Sequence, residues 1–161
     1  MRTDEAYLAR YQHVYFTRDW HPQDHCSFQS NNPGSTLFET ITLEDTGVEQ
    51  VMWPDHCVQG SPGAEFHAEC QPKETDIVVS KGLNSRVDSY SGFGQAPEVT
   101  TLLDDLKSKN VTQLYVVGLA YDYCVGSTAC DGAANGFKTF IVTDATKSVA
   151  AATAEKMDKR V

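Results

Sequence analysis

An α/β domain built on a doubly wound, mostly parallel sheet is the fold this sequence predicts, and three observations carry that expectation. Leu114 to Ala120 and Thr139 to Thr143 are near-continuous apolar runs, the pattern of strands covered on both faces. Helical patterns separate these runs from each other and from an earlier strand. The order from Asp76 to Thr143 is therefore strand-helix-strand-helix-strand, which a parallel sheet with crossover helices accommodates.

Each element has its own signal. His13 to Thr17 is short, aromatic and β-branched, and it stops at the polar run Arg18 to His25. Asp76 to Ser80 is an apolar core bounded by Pro72 and Gly82. Glu98 to Lys109 places Val99, Leu102, Leu103 and Leu106 on one helical face, with Asn110 as a stop. Cys124 to Asn135 is rich in small residues and ends at Gly136, a good C-terminal cap. Asp19 to Glu74 reads as a long irregular insertion, and such loops in a small domain usually carry function.

Composition narrows the classes. The 161 residues suit one domain, residues 1–161, and 40% hydrophobic with 22% charged residues is a soluble globular balance. No apolar run approaches the ~20 residues that span a bilayer. Met1 to Arg10 mixes acids and bases around no apolar core, which argues against a secretory signal and for the cytoplasm. A net charge of -9 argues against a nucleic-acid partner. Five cysteines without framework spacing fit free thiols in a reducing compartment. No G-x-G-x-x-G opens a helix after a strand, so a dinucleotide-binding domain is not indicated.

Chemistry in open α/β sheets gathers beyond the carboxyl ends of strands. Three such ends bear unusual residues here: Asp19-Trp20-His21, Lys81, and Asp122-Tyr123-Cys124. Cys124 opens a helix, where unpaired N–H groups favour a thiolate and can hold an oxyanion. Lys81 beside a cysteine can stabilise either charge. Asp19 and His21, two apart in extended chain, project to one side and can share an ion. A carboxylate with imidazoles suits zinc, with iron or manganese also compatible. A third ligand is needed. His56, in the turn Trp53-Pro54-Asp55-His56-Cys57, is the leading candidate; His25, Cys26 and Cys57 are the others.

In order, TRDWHPQDHCSF, VMWPDHCVQGSPGAEF, VSKGLNSRVDSYSGF and VVGLAYDYCVGSTACDGAANGFKTFIVTDAT resemble the four motif segments of the nicotinamidase/pyrazinamidase group of isochorismatase-like cysteine hydrolases. The resemblance runs from about Tyr11 to Ser148. It implies an amidohydrolase that converts nicotinamide to nicotinic acid and ammonia through a Cys124 thioester, in NAD salvage. Lys81 is then the cationic member of the triad, and the backbone N–H groups of Ala120 and Cys124 form the oxyanion hole. A cis Leu119–Ala120 peptide goes with that arrangement. Trp53 packs against the pyridine ring, whose nitrogen binds at a metal held by Asp19, His21 and His56. The partner implied is a small molecule, and homo-oligomerisation is compatible.

One segment of the pattern has no counterpart. The family places a triad aspartate on a first strand, V-D-x-Q-x-D-F, ahead of the metal loop. This sequence instead opens with a helix-like piece at Met1 and reaches the metal loop by Asp19. The expectation is an N-terminally truncated domain whose sheet lacks its first strand, with Asp122 the one carboxylate near the cysteine and expected to shape the turn rather than act as base. The alternatives are another isochorismatase-like amide hydrolase or an inactive metal-binding remnant.

Overall fold

The aromatic and β-branched residues ahead of the polar loop form β1, Tyr15–Asp19, which pairs in parallel with β4, Ile77–Lys81. The computed structural model describes residues 10–161, so the helix-like opening read at Met1 lies outside the described residues. Between these strands lies a short antiparallel hairpin, β2 (Thr40–Thr42) and β3 (Glu49–Val51). Helix α1, Leu102–Ser108, leads to β5, Gln113–Leu119. A π-helical turn, Tyr121–Val125, runs into α2, Gly126–Ala134. Strand β6, Lys138–Lys147, returns parallel to β5, and α3, Ala151–Met157, follows.

The α/β class with parallel pairing is as expected, and the strand positions agree within two residues at their starts. Three expectations need correction. First, β5 is covered on one face only, with Tyr115, Val117 and Leu119 46%, 45% and 74% exposed. Among the described residues β1–β4 and β5–β6 are separate two-stranded ladders. The side chains of Tyr115, Val117 and Leu119 alternate onto the β5 face that no layer of the described residues fully covers.

Second, α1 starts at Leu102 rather than Glu98, and Val99 is 84% exposed. The side chains just upstream serve the neighbouring loops instead: Glu98 binds backbone N–H groups at residues 82–84, and the Thr100 hydroxyl donates to Gly92 O at 2.6 Å. Asn110, at φ 53°, ends the helix as expected. Third, the Asp19 to Glu74 insertion is more ordered than its sequence suggests. It holds the hairpin, and two isolated parallel bridges, His21 with Val58 and Phe28 with Trp53, stitch its halves together.

The core lies between the β1–β4 pair and α1. Val79, Leu102, Leu106 and Phe137 are buried and pack with Tyr15, Ile77, Phe93 and Leu114. Full burial of such a side chain contributes roughly 1.5–3 kcal/mol, so Leu102 and Leu106 fix α1 over the strand ending in Lys81. Gly126 begins α2 because a Cβ there would lie 2.3 Å from Met157 Sδ, so the start of α2 and the end of α3 meet closely. Among the described residues no helix is long and apolar enough to cross a membrane.

Candidate active site

Strand register brings the first two functional groups together. Parallel pairing sets Asp19 directly opposite Lys81, so their side chains share a face although 62 residues separate them. Lys81 is 3% exposed and uses all three of its N–H donors. Its Nζ donates to Asp19 Oδ1 at 2.5 Å, to the Ser89 carbonyl at 2.8 Å and to Cys124 Sγ at 3.3 Å. Burial disfavours the ammonium, but the charges of Cys124 and Asp19 outweigh it and hold the lysine above its ordinary range. Burial likewise opposes the Asp19 carboxylate, and the Lys81 charge and hydrogen bond win, holding Asp19 below the usual carboxylate range.

The β5–α2 connection supplies Cys124. The chain leaves β5 through a cis Leu119–Ala120 peptide, as expected, and coils into the π-helical turn, where Val125 N–H donates to Ala120 O. Cys124 therefore sits just before α2, not at its first helical residue. Its thiol is not lowered, contrary to the sequence expectation: burial pushes it up to about 11, and Lys81 pulls back only part of that. The ammonium at 3.3 Å, rather than a helix terminus alone, is the group set to stabilise a thiolate here. The remaining cysteines are free thiols in other settings. Burial pushes Cys26 up to about 12 and raises Cys57 as well. Cys130, half-buried in α2, donates to Arg160 O, and Cys70 is exposed.

Asp122 faces away from this group. Its carboxylate accepts Val149 N–H at 2.9 Å, Ala150 N–H at 3.1 Å and the Thr153 hydroxyl at 2.5 Å, joining the Cys124 turn to the start of α3. The expectation that Asp122 is the one carboxylate near the cysteine is corrected: Asp19 is the carboxylate hydrogen-bonded to Lys81.

The insertion adds two imidazoles. The His21–Val58 and Phe28–Trp53 bridges lay residues 53–58 alongside 21–28, with His21 N–H donating to Cys57 O at 3.0 Å and Trp53 N–H to Ser27 O at 2.8 Å. This alignment brings the His21 and His56 rings to 4.9 Å between centroids. Ligand atoms of Asp19, His21 and His56 all lie within 4.8 Å of one another. His21 Nδ1 is 2.9 Å from Gly82 O, and His56 Nδ1 is 2.8 Å from Pro54 O. A carbonyl only accepts, so both Nδ1 atoms carry the proton and both Nε2 atoms keep a free lone pair. Histidine ligands are typically oriented this way.

His25 packs on His21 at 4.0 Å and is fully buried, with Nδ1 2.8 Å from Ser27 Oγ and Nε2 3.3 Å from Val87 O. Burial and the adjacent His21 pull it down to about 4. It forms a second compact group with His21 and Asp88, which shares His21 with the first.

Trp53 closes one side. Its ring meets Tyr123 at 4.9 Å, and its Nε1–H donates to Tyr90 Oη at 3.2 Å. Tyr90 is in turn hydrogen-bonded to Asp88, which also accepts Gln50 Nε2 at 2.8 Å. Gln50, Asp88, Ser89, Tyr90, Tyr123 and Glu98 all support the site and were given no role from the sequence. Asp88, Ser89 and Tyr90 lie inside the lysine segment and Tyr123 inside the cysteine segment, so four of the six stood within the quoted motifs. A cleft of about 920 Å³ is lined by Cys26, Glu39, Asp45 and Arg86, and Asp19, His21, His56, Lys81 and Cys124 lie outside that lining.

Comparison with known proteins identifies the family. A model of the isochorismatase domain matches residues 6–160. The chain is 38% identical over 138 residues to a nicotinamidase of Acinetobacter baylyi, covering 84% of this chain and 64% of that protein. It is 39% identical over 143 residues to a nicotinamidase of Escherichia coli, covering 88% and 66%. The chain thus spans just under two thirds of the length of these curated relatives. Among solved structures, an Acinetobacter baumanii nicotinamidase pyrazinamidase superposes with a TM-score of 0.86 at 38% identity, over 96% of this chain and 77% of that one. A Pyrococcus horikoshii pyrazinamidase in complex with zinc gives 0.76 at 30%, over 96% and 73%. An L. infantum protein in complex with nicotinate gives 0.77 at 33%, over 92% and 67%. The chain belongs to the isochorismatase-domain family and, within it, to the nicotinamidase/pyrazinamidase group.

Proposed function

We propose that this chain hydrolyses nicotinamide to nicotinic acid and ammonia, a step of NAD salvage, with Cys124 as nucleophile. The observation that carries the reading is the buried Lys81 ammonium, bonded at once to Cys124 Sγ and Asp19 Oδ1. A cation in that place favours the thiolate, and Asp19 balances its charge. Cys124 Sγ attacks the carboxamide carbon, ammonia leaves, and water cleaves the resulting thioester. The thiol proton ends on the departing nitrogen, so ammonia leaves as the thioester forms, and water restores the Cys124 thiol on releasing the acid. The backbone N–H groups of Ala120 and Cys124 are the donors we assign to the tetrahedral oxyanion. Trp53, held by Tyr90 and Tyr123, offers an aromatic wall for a flat pyridine ring.

Asp19, His21 and His56 are the residues we assign to one divalent metal. Two imidazoles that present Nε2 and a carboxylate suit zinc, and iron or manganese would accept the same donors. Asp19 engages Lys81 through Oδ1, and a carboxylate's second oxygen is left for an ion. The zinc in the Pyrococcus horikoshii relative and the nicotinate in the L. infantum relative support both assignments. When bound, the ion supplies a Lewis-acid contact for the ring nitrogen. The five free cysteines suit a reducing compartment, and we place the protein in the cytoplasm.

The test is ammonia release from nicotinamide by the purified chain and by Cys124→Ala. We expect turnover in the first and none in the second, with equal metal content in both. Equal turnover in the two would overturn the assignment of Cys124.

A further inference from the structure

Lys81 is followed by a turn whose three successive N–H groups all point at one side chain. Glu98 Oε1 accepts Gly82 N–H at 2.7 Å, and Oε2 accepts Leu83 N–H at 2.7 Å and Asn84 N–H at 3.1 Å. The first residue of this turn does two further things. Gly82 O accepts the Nδ1–H of His21, and its bare Cα lies under the His21 ring. A Cβ there would fall 2.3 Å from His21 Cε1, and the backbone stands at φ 65°. Only glycine meets both demands without strain. The position of the Gly82 carbonyl thus decides which His21 nitrogen carries the proton and where the ring sits.

We propose that Glu98 is a positioning residue of the metal centre, acting through Gly82. Its carboxylate holds the 82–84 turn, the turn holds the Gly82 carbonyl, and that carbonyl locks His21 in the tautomer that presents Nε2 to the ion. The claim rests on the metal assignment made above for Asp19, His21 and His56. It also explains why residues 98–101 stay out of α1: extending the helix to Glu98 would carry the carboxylate away from the turn.

The geometry separates Glu98 from a residue that merely adds stability. Loss of a group that orients a histidine ligand typically weakens metal affinity by about 10–100-fold. A glutamine keeps one acceptor oxygen and turns an NH₂ toward N–H donors, so it is the intermediate case. Leu106 is 2% exposed in the core and lies apart from the turn, so Leu106→Ala is the control for lost stability alone.

The experiment titrates zinc against a chromophoric chelator for the wild type, Glu98→Ala, Glu98→Gln and Leu106→Ala. In parallel, ¹⁵N spectra of the metal-free proteins report the His21 tautomer. We expect about 10–100-fold weaker zinc binding in Glu98→Ala, a smaller loss in Glu98→Gln, and wild-type affinity in Leu106→Ala despite its lower melting temperature. The His21 signal should be a single Nδ1–H tautomer in the wild type and a mixture in Glu98→Ala. If Glu98→Ala does not fold, Glu98→Gln carries both readouts. Wild-type affinity together with an unchanged tautomer in the folded Glu98 variants would overturn the proposal. Absence of zinc binding in the wild type would instead remove the metal assignment, and the tautomer measurement would still decide whether Glu98 positions His21.

Discussion

Replacing Asp122 by alanine separates the two roles a carboxylate beside the nucleophile turn can play. The side chain is 6% exposed and accepts Val149 N–H, Ala150 N–H and the Thr153 hydroxyl. Losing the charged acceptor shared by two backbone N–H groups costs ~1–2 kcal/mol, and losing the hydroxyl bond to it costs ~1.5 kcal/mol. The sum is ~3 kcal/mol, which for a domain of this size lowers the melting temperature by ~6–12 °C. The three donors hold the Asp122 carboxyl below its ordinary range against the cost of burial. A depressed carboxyl stabilises the fold fully above its unfolded pKa of ~4 and loses that contribution as pH falls through the folded value. The gap between wild type and Asp122→Ala, measured by thermal unfolding, should therefore be widest near neutrality and close at acid pH. Ammonia release by Asp122→Asn, assayed well below its melting temperature, should stay within ~10-fold of wild type. A loss of ~10²–10⁴, the range of a general acid or base, with fold and metal intact, would refute this placement and return Asp122 to the chemistry.

Three further outcomes are expected. His21→Ala and His56→Ala should each lose most of their metal by elemental analysis, and unchanged content in both would dismiss the site. Lys81→Met should leave metal content measurable while cutting turnover by ~10² or more, because the Cys124 thiol then keeps its buried environment without the cation. Cys57→Ala and Cys130→Ala should retain turnover when folded, since neither thiol touches Lys81 among the hydrogen bonds of the site.

The candidate site residues were more legible than their connections. Asp19, His21, Lys81 and Cys124 stand at or just beyond strand ends, where α/β chemistry is expected, and His56 lies in a distinctive Trp-Pro turn. What the sequence hides is the register that sets Asp19 against Lys81, because pairing of strands 62 residues apart leaves no local trace. Asp122 was legible as a residue that shapes the turn, but its partners, residues 149–153, were not, because they lie 27 or more positions away. Glu98 was masked by helical periodicity, since Val99, Leu102, Leu103 and Leu106 extend one stripe back to it. Its bonds to the 82–84 turn outweigh that local preference. The hairpin strands, three residues each, are too short to show an alternating pattern. The apolar run of β5 describes a strand that both faces could bury, whereas its actual exposure depends on which neighbours are present.

The central claim is that Cys124 carries the acyl group during turnover. Acid quenching of the purified, metal-loaded chain during steady-state hydrolysis of nicotinamide, followed by intact-mass and peptide analysis, tests it directly. The expected result is a species heavier by one nicotinoyl group, attached to the peptide containing Cys124 and missing from Cys124→Ala. Turnover with the label on another cysteine, or undiminished turnover in Cys124→Ala, would contradict it.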